Sequence, residues 1–156
     1  MIEGVEVIPL RRHEDGRGWF MEIRRESKLR KPSRQTNLVF SRKGVIRGLH
    51  YHERGQDDLF VCLQGMVRVV LLDRETGETF TADIGDENPV AVYVPGHLAH
   101  GYEALTDSLF CYEVTEEYDA GDPDEHEVPW DDPRIRHLWS TQSPILSERD
   151  RAAASS

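Results

Sequence analysis

The sequence predicts an all-β protein, an antiparallel barrel or jelly roll, and three observations carry that prediction. Short apolar runs are separated by turn residues at intervals of roughly 8–12 positions. No convincing helical period appears before residue 131. The apolar runs are rich in β-branched and aromatic residues and are punctuated by Gly, Pro, Asn and Asp.

The elements follow in chain order. Residues 4–9, with Val5 and Val7 alternating, read as a strand. Asp15-Gly16-Arg17-Gly18 is turn chemistry, and the apolar run 19–23 follows it. Basic residues and Pro32 predict exposed, irregular chain over 24–34. Residues 37–41 form a strand closed by a turn at Lys43-Gly44. In the next stretch His50 and His52 stand two apart, so a strand puts both on one face. Residues 53–58 are a polar loop. Residues 59–63 and 66–72 read as the two arms of a hairpin about Gln64-Gly65. A turn over 73–78 precedes strands at 79–84 and 91–94. Pro95-Gly96-His97 then leads into Leu98-Ala99-His100-Gly101-Tyr102, and residues 109–114 are a further apolar run. Residues 119–127 are an acidic loop, and 134–139 read as a helical turn. Ser147 caps a short C-terminal helix to Ala154, with Ser155 and Ser156 fraying beyond it.

The length predicts one domain over 1–156, large enough to bury a core without staples. No run of about 18 apolar residues is present, so no membrane span is expected. The first ten residues carry Glu3 and Glu6 and lack the basic start of a signal peptide. Cys62 and Cys111 lie in apolar runs and read as buried thiols of a cytoplasmic protein. The net charge is −10, unevenly spread: residues 1–54 hold 13 Lys/Arg against 7 Asp/Glu, and the rest hold 6 against 22. The acidic body excludes nucleic acid as a partner. The basic N-terminal third suits a small, multiply charged anion instead. His50-x-His52 and the later His100 belong to one chamber of such a barrel, as acid–base groups or as metal ligands.

Gly44-Val45-Ile46-Arg47-Gly48-Leu49-His50-Tyr51 closely resembles the signature of the dTDP-4-dehydrorhamnose 3,5-epimerase family of cupins. The resemblance runs through nearly the whole chain. It takes in Asp15-Gly16-Arg17-Gly18 with Phe20 and Glu22, Gln35-x-Asn37, Ala99-His100-Gly101-Tyr102 and Tyr112 with Tyr118. It continues through Trp130-Asp131-Asp132-Pro133 and Leu146-Ser147-Glu148-Arg149-Asp150. It implies a cupin jelly roll, a homodimer, no cofactor, and epimerisation of a nucleotide-linked 4-keto-6-deoxy sugar at C3, C5 or both. By that resemblance His50 is the general base, Asp150 its partner, and Tyr112 the acid on the opposite face of the sugar. Arg17 and Arg47 are implied contacts to the diphosphate, and Phe20 with Glu22 part of the nucleotide-base site. Gln35, Asn37, His100 and Tyr118 are further implied substrate contacts.

Three positions depart from the family pattern. Asp58 stands where a lysine is usual, Val69 where an aspartate is usual, and His52 where a glutamine is common. They open a rival reading, because His50, His52, Asp58 and His100 follow the ligand order of metal-binding cupins. Three imidazoles and a carboxylate suit Fe(II), Mn(II), Ni(II) or Zn(II) in an isomerase or oxygenase. A non-catalytic sugar-binding cupin is the remaining alternative.

Overall fold

The computed structural model describes residues 1–154. Their strands build two five-stranded antiparallel sheets and one separate hairpin. The first sheet runs β1 (Glu6–Pro9), β9 (Val90–Val94), β6 (Asp58–Gln64), β11 (Ser108–Val114), β4 (Gln35–Ser41). The second runs β12 (His126–Glu127), β5 (Ile46–Tyr51), β10 (Ala99–Ala104), β7 (Met66–Leu72), β8 (Thr79–Gly85). The hairpin pairs β2 (Arg12–Asp15) with β3 (Gly18–Met21), and α1 (Glu148–Ala153) is the α-helix of the described residues. This is the expected antiparallel jelly roll.

The core lies between the sheets, where Phe60, Val69, Leu71, Ile84, Val92 and Phe110 interdigitate. The outer faces are covered too. On the second sheet Val70 and Leu72 pack under Val128, Ile135 and Trp139 of the C-terminal segment. On the first, Leu59, Val61 and Tyr93 pack under Ile8, Leu10, Ile23 and Leu29. Residues 59–63 and, apart from Arg68, 66–72 are therefore apolar without alternation, as strands buried on both faces are.

Those two runs do not form the expected hairpin. β6 pairs with β9 and β11, whereas β7 pairs with β8 and β10. Gln64-Gly65 is a corner at which the chain leaves one sheet for the other. Gly65 has φ +85°, and a Cβ there would lie 2.3 Å from the Asp107 carbonyl oxygen. Its amide donates to Asp86 Oδ2 at 3.0 Å, and the Asp86 amide donates back to the Gly65 carbonyl at 2.9 Å. Separation at this corner puts each apolar strand inside its own sheet, with covered faces on both sides.

Residues 24–34 are irregular apart from a 3-10 turn at Glu26–Lys28, and a second 3-10 turn spans Arg136–Leu138. Cys62 and Cys111 are buried free thiols, as expected. Among the described residues no helix is long and apolar enough to cross a membrane. The expected fraying of Ser155 and Ser156 lies outside the described residues.

Two local features aim the site. Gly48, at φ +112°, lets β5 approach β10 so closely that a Cβ would sit 2.7 Å from the His100 carbonyl oxygen. His50 then lies in register opposite His100. At the other end of the chain, Ser147 caps α1 as predicted, its Oγ accepting from the Asp150 amide at 3.0 Å.

Candidate active site

A cavity of about 720 Å³ opens between the two sheets, lined on one side by β5 and β10 and on the other by β4, β6 and β11. His50, His52, Asp58, His100, Tyr112 and Asp150 all line it.

His50 projects from β5 and meets Asp150 of α1, with Nε2 3.2 Å from Oδ1. The second oxygen, Oδ2, accepts the Gly48 amide at 3.2 Å. Burial alone would raise the Asp150 pKa, but the hydrogen bonds from His50 and Gly48 outweigh it and hold the carboxyl below its ordinary range. An ionised carboxylate only accepts, so His50 Nε2 carries the hydrogen and Nδ1 carries the lone pair. Nδ1 lies 3.5 Å from Glu125 Oε1, and Arg149 Nη1 holds the other Glu125 oxygen at 2.7 Å. A proton arriving on Nδ1 creates an imidazolium flanked by two carboxylates. Glu125 was not among the residues read from the sequence. It belongs to the acidic loop 119–127, where nothing in the residue order distinguishes the side chain that turns inward.

Tyr112 projects from β11, on the sheet opposite β5. Burial first, and then the nearby Asp58 carboxyl, push its phenol pKa up. It therefore keeps its proton at neutral pH and is suited to give it away only to a strong base such as a carbanion.

Arg47, Arg54 and Arg149 line the cavity. Arg54 is neutralised by Asp122 at 2.9 Å, and Arg149 by Glu125. Arg47 instead donates to two neutral acceptors, Ser41 Oγ at 2.9 Å and the Phe40 carbonyl at 3.2 Å. Among the described residues it is thus the lining arginine with no carboxylate partner, and its charge is available to an anion. Gln35 and Asn37 line the β4 wall with their amides hydrogen-bonded at 3.0 Å, and Gln35 Oε1 also accepts the Tyr118 amide at 2.9 Å. Tyr118 itself is an exposed residue of the cavity lining.

Arg17, Phe20 and Glu22 are not brought to this cavity within the chain. They lie on or beside the β2–β3 hairpin, which forms a sheet of its own. Arg17 pairs with Asp15 at 2.6 Å, Glu22 pairs with Arg25 at 2.5 Å, and Phe20 is 69 % exposed.

His52, Asp58 and His100 form a second group, all three buried. Asp58 Oδ1 is 3.8 Å from His52 Nε2, and Oδ2 is 3.5 Å from His100 Nε2. Burial drives the Asp58 pKa up to about 6 and that of His100 down to about 3, so the His100 ring is neutral. The four-residue metal set read from the sequence is not assembled as such, because His50 is drawn to Asp150 and Glu125 and only the other three converge. Val69 is buried in the intersheet core.

The profile of the family described as dTDP-4-dehydrorhamnose 3,5-epimerase matches residues 1–156. The chain is similar to the spore coat polysaccharide biosynthesis protein SpsL of Bacillus subtilis, at 39 % identity over 91 % of this chain and 99 % of that protein. Among solved structures it resembles NovW of Streptomyces spheroides, a 4-keto-6-deoxy sugar epimerase, at TM-score 0.88 and 30 % identity over 98 % of this chain and 83 % of that one. It also resembles ChmJ, a 3'-monoepimerase of Streptomyces bikiniensis solved with dTDP-quinovose, at TM-score 0.88 and 29 % identity over 99 % of this chain and 84 % of that one.

Proposed function

The chain belongs to the dTDP-4-dehydrorhamnose 3,5-epimerase family, the cupin-type epimerases of nucleotide-linked 4-keto-6-deoxy sugars, and we propose that in it His50, Asp150 and Tyr112 carry the chemistry. The observation that supports these roles most is the placement of base and acid on opposite sheets of one cavity. A sugar ring lying between them has His50 Nδ1 on one face and the Tyr112 hydroxyl on the other. The 4-keto group acidifies the hydrogens at C3 and C5. His50 removes one of them, the electron pair passes into the enolate, and Tyr112 returns a proton from the other side with inversion. Asp150 fixes the tautomer and stabilises the imidazolium, with Glu125 as a second counter-charge. Proton transfer of this kind needs no organic or redox cofactor.

Arg47, with no carboxylate partner, takes the diphosphate, and Gln35, Asn37, His100 and Tyr118 contact the substrate from the cavity wall. Arg17, Phe20 and Glu22 serve the cavity of a second copy. Trp19 and Phe20 of β3 and Leu38 and Phe40 of edge strand β4 are exposed apolar residues suited to a homodimer contact. The two buried thiols fit a cytoplasmic location.

Incubation with dTDP-4-keto-6-deoxyglucose in D2O, followed by NMR, tests the reaction. Deuterium is expected at C3, at C5 or at both, and the position assigns the enzyme as a 3-, 5- or 3,5-epimerase. His50→Ala is expected to abolish exchange and Tyr112→Phe to slow net inversion by about 10²-fold or more. No exchange at either carbon overturns the activity on this substrate. The shared site is tested by mixing Arg17→Ala and His50→Ala chains. Recovery of activity above either parent supports donation between subunits, and no recovery overturns it.

A further inference from the structure

We propose that His52, Asp58 and His100 hold one divalent transition-metal ion on the wall of the cavity. One ligand atom from each residue lies within 4.8 Å of the others, and all three side chains are buried. The hydrogen-bond partners fix the tautomers. His52 Nδ1 donates to the Asp124 carbonyl at 2.6 Å, and His100 Nδ1 donates to the Leu98 carbonyl at 3.0 Å. A carbonyl oxygen only accepts, so both hydrogens are on Nδ1 and both lone pairs are on Nε2. Those two lone pairs face the Asp58 carboxylate, at 3.8 and 3.5 Å. Imidazole lone pairs and a carboxylate turned towards one another repel unless a cation or a hydrogen-bond donor stands between them, and Gln56 Nε2 supplies such a donor on the His52 side alone. Backbone carbonyls that lock Nδ1–H and present Nε2 are also the usual support of histidine ligands.

The distances fit an ion. Metal–ligand bonds of roughly 2.0–2.2 Å place neighbouring ligands roughly 3.3–3.6 Å apart in a tetrahedron, and the three ligand atoms lie within 4.8 Å of one another, so side-chain movements of up to about an ångström close the site. Among the described residues no Lys or Arg pairs with Asp58. Its hydrogen-bond donor is the Gln56 amide, at 3.0 Å from both Asp58 Oδ1 and His52 Nε2. Gln56 therefore occupies the position an ion takes, and it swings aside or turns its own carbonyl oxygen inward on binding. Two imidazole nitrogens and one carboxylate oxygen select Zn(II), Fe(II), Co(II), Mn(II) or Ni(II) over Ca(II) and Mg(II). Three protein ligands leave at least one position free for a ligand from the cavity, which the same residues line.

The ion's use rests on the epimerase reading above. The free position takes the 4-keto oxygen of the sugar. When His50 Nδ1 removes the neighbouring hydrogen, the C–H electron pair becomes the new C=C bond and the carbonyl π pair moves to oxygen. The ion offsets that negative charge. Tyr112 then supplies the proton to carbon, and water restores Tyr112 and discharges His50.

Binding is measured first, without substrate. The full-length protein is stripped with a chelator and titrated with Zn(II) and with Co(II), by calorimetry and by the Co(II) visible spectrum. One ion per chain is expected, with at least tenfold weaker binding in Asp58→Asn and in His52→Gln, and undiminished binding in Asp150→Asn. Asp58→Asn keeps the shape of the side chain, and its melting temperature reports whether it folds. His52→Gln serves if it does not. Equal binding by wild type and both variants, or none by wild type, overturns the site. The D2O exchange is then run on stripped and Zn-reloaded enzyme. Exchange that falls at least tenfold on stripping and returns on reloading supports the role at the keto oxygen. Exchange that ignores stripping overturns that role. No exchange in either form overturns the epimerase reading and leaves the metal site to the binding result.

Discussion

His50 sits between two carboxylates that do different work. Asp150 is buried, hydrogen-bonded and held ionised, so it sets which nitrogen of His50 carries the lone pair. Glu125 is further away, is tied to Arg149, and acts on charge alone. Asp150→Asn is expected to lower kcat by roughly 10²–10⁴ with little change in KM, because an amide that offers its NH2 to Nε2 reverses the tautomer. Glu125→Gln is expected to cost less, and steady-state kinetics of the two variants checks the order. Asp150 also links stability to pH. Its pKa is depressed in the folded chain, so its contribution is present above the ordinary carboxylate pKa of about 4 and is lost as pH falls through the lower native value. Urea melts between pH 2 and pH 6 are expected to show wild type losing more stability on acidification than Asp150→Asn. That His50, Tyr112 and Asp150 belong to one cavity was legible because they lie in ordered motifs shared with a known family. Glu125 and Gln56 were not, because their roles depend on the direction in which polar loops turn, and loop polarity does not encode direction.

Two elements carry lessons of opposite kind. Helix α1 was readable to within a residue, because Ser147 followed by Glu148 and Asp150 is an N-terminal capping pattern whose physics is local. Ser147→Ala is expected to destabilise the helix by about 1 kcal/mol. Since the same helix delivers Asp150 to His50, the variant is also expected to lose part of kcat. A paired thermal melt and rate measurement checks both effects, and loss of stability with full activity would separate the cap from the dyad. The corner at Gly65 was misread. Its turn chemistry reports only that the chain needs a positive φ there, not which sheet receives the next strand. The useful signal was the absence of alternation in residues 59–63 and 66–72, which marks strands covered on both faces and therefore central to separate sheets.

At the scale of the whole molecule, the sheets are wrapped by the two ends of the chain, and the wrapping decides what is exposed. The N-terminal segment covers the first sheet while leaving its hairpin and edge strand β4 with exposed Trp19, Phe20, Leu38 and Phe40. Sedimentation of the wild type is expected to give a dimer, and Phe40→Asp with Leu38→Asp is expected to shift it towards monomer and raise KM. A monomeric wild type at full activity would remove the need for a shared cavity. The jelly roll and nearly every strand were legible from periodicity, whereas the pairing order was not, since each strand's partners lie far away in sequence.

That distance reaches beyond the finished structure to the route by which it forms. With the chain diverging at Gly65, the two most apolar strands cannot zip onto one another. β6 waits for β9 and β11, and β7 for β10 and β8. Of these pairings only β7–β8 is local. Large loops must close before most of the burial is gained, so refolding is expected on the millisecond-to-second scale of high-contact-order β proteins. During that interval residues 59–72 stand as a bare, sticky ribbon, and the yield of native protein at high concentration is decided by how quickly its distant partners arrive.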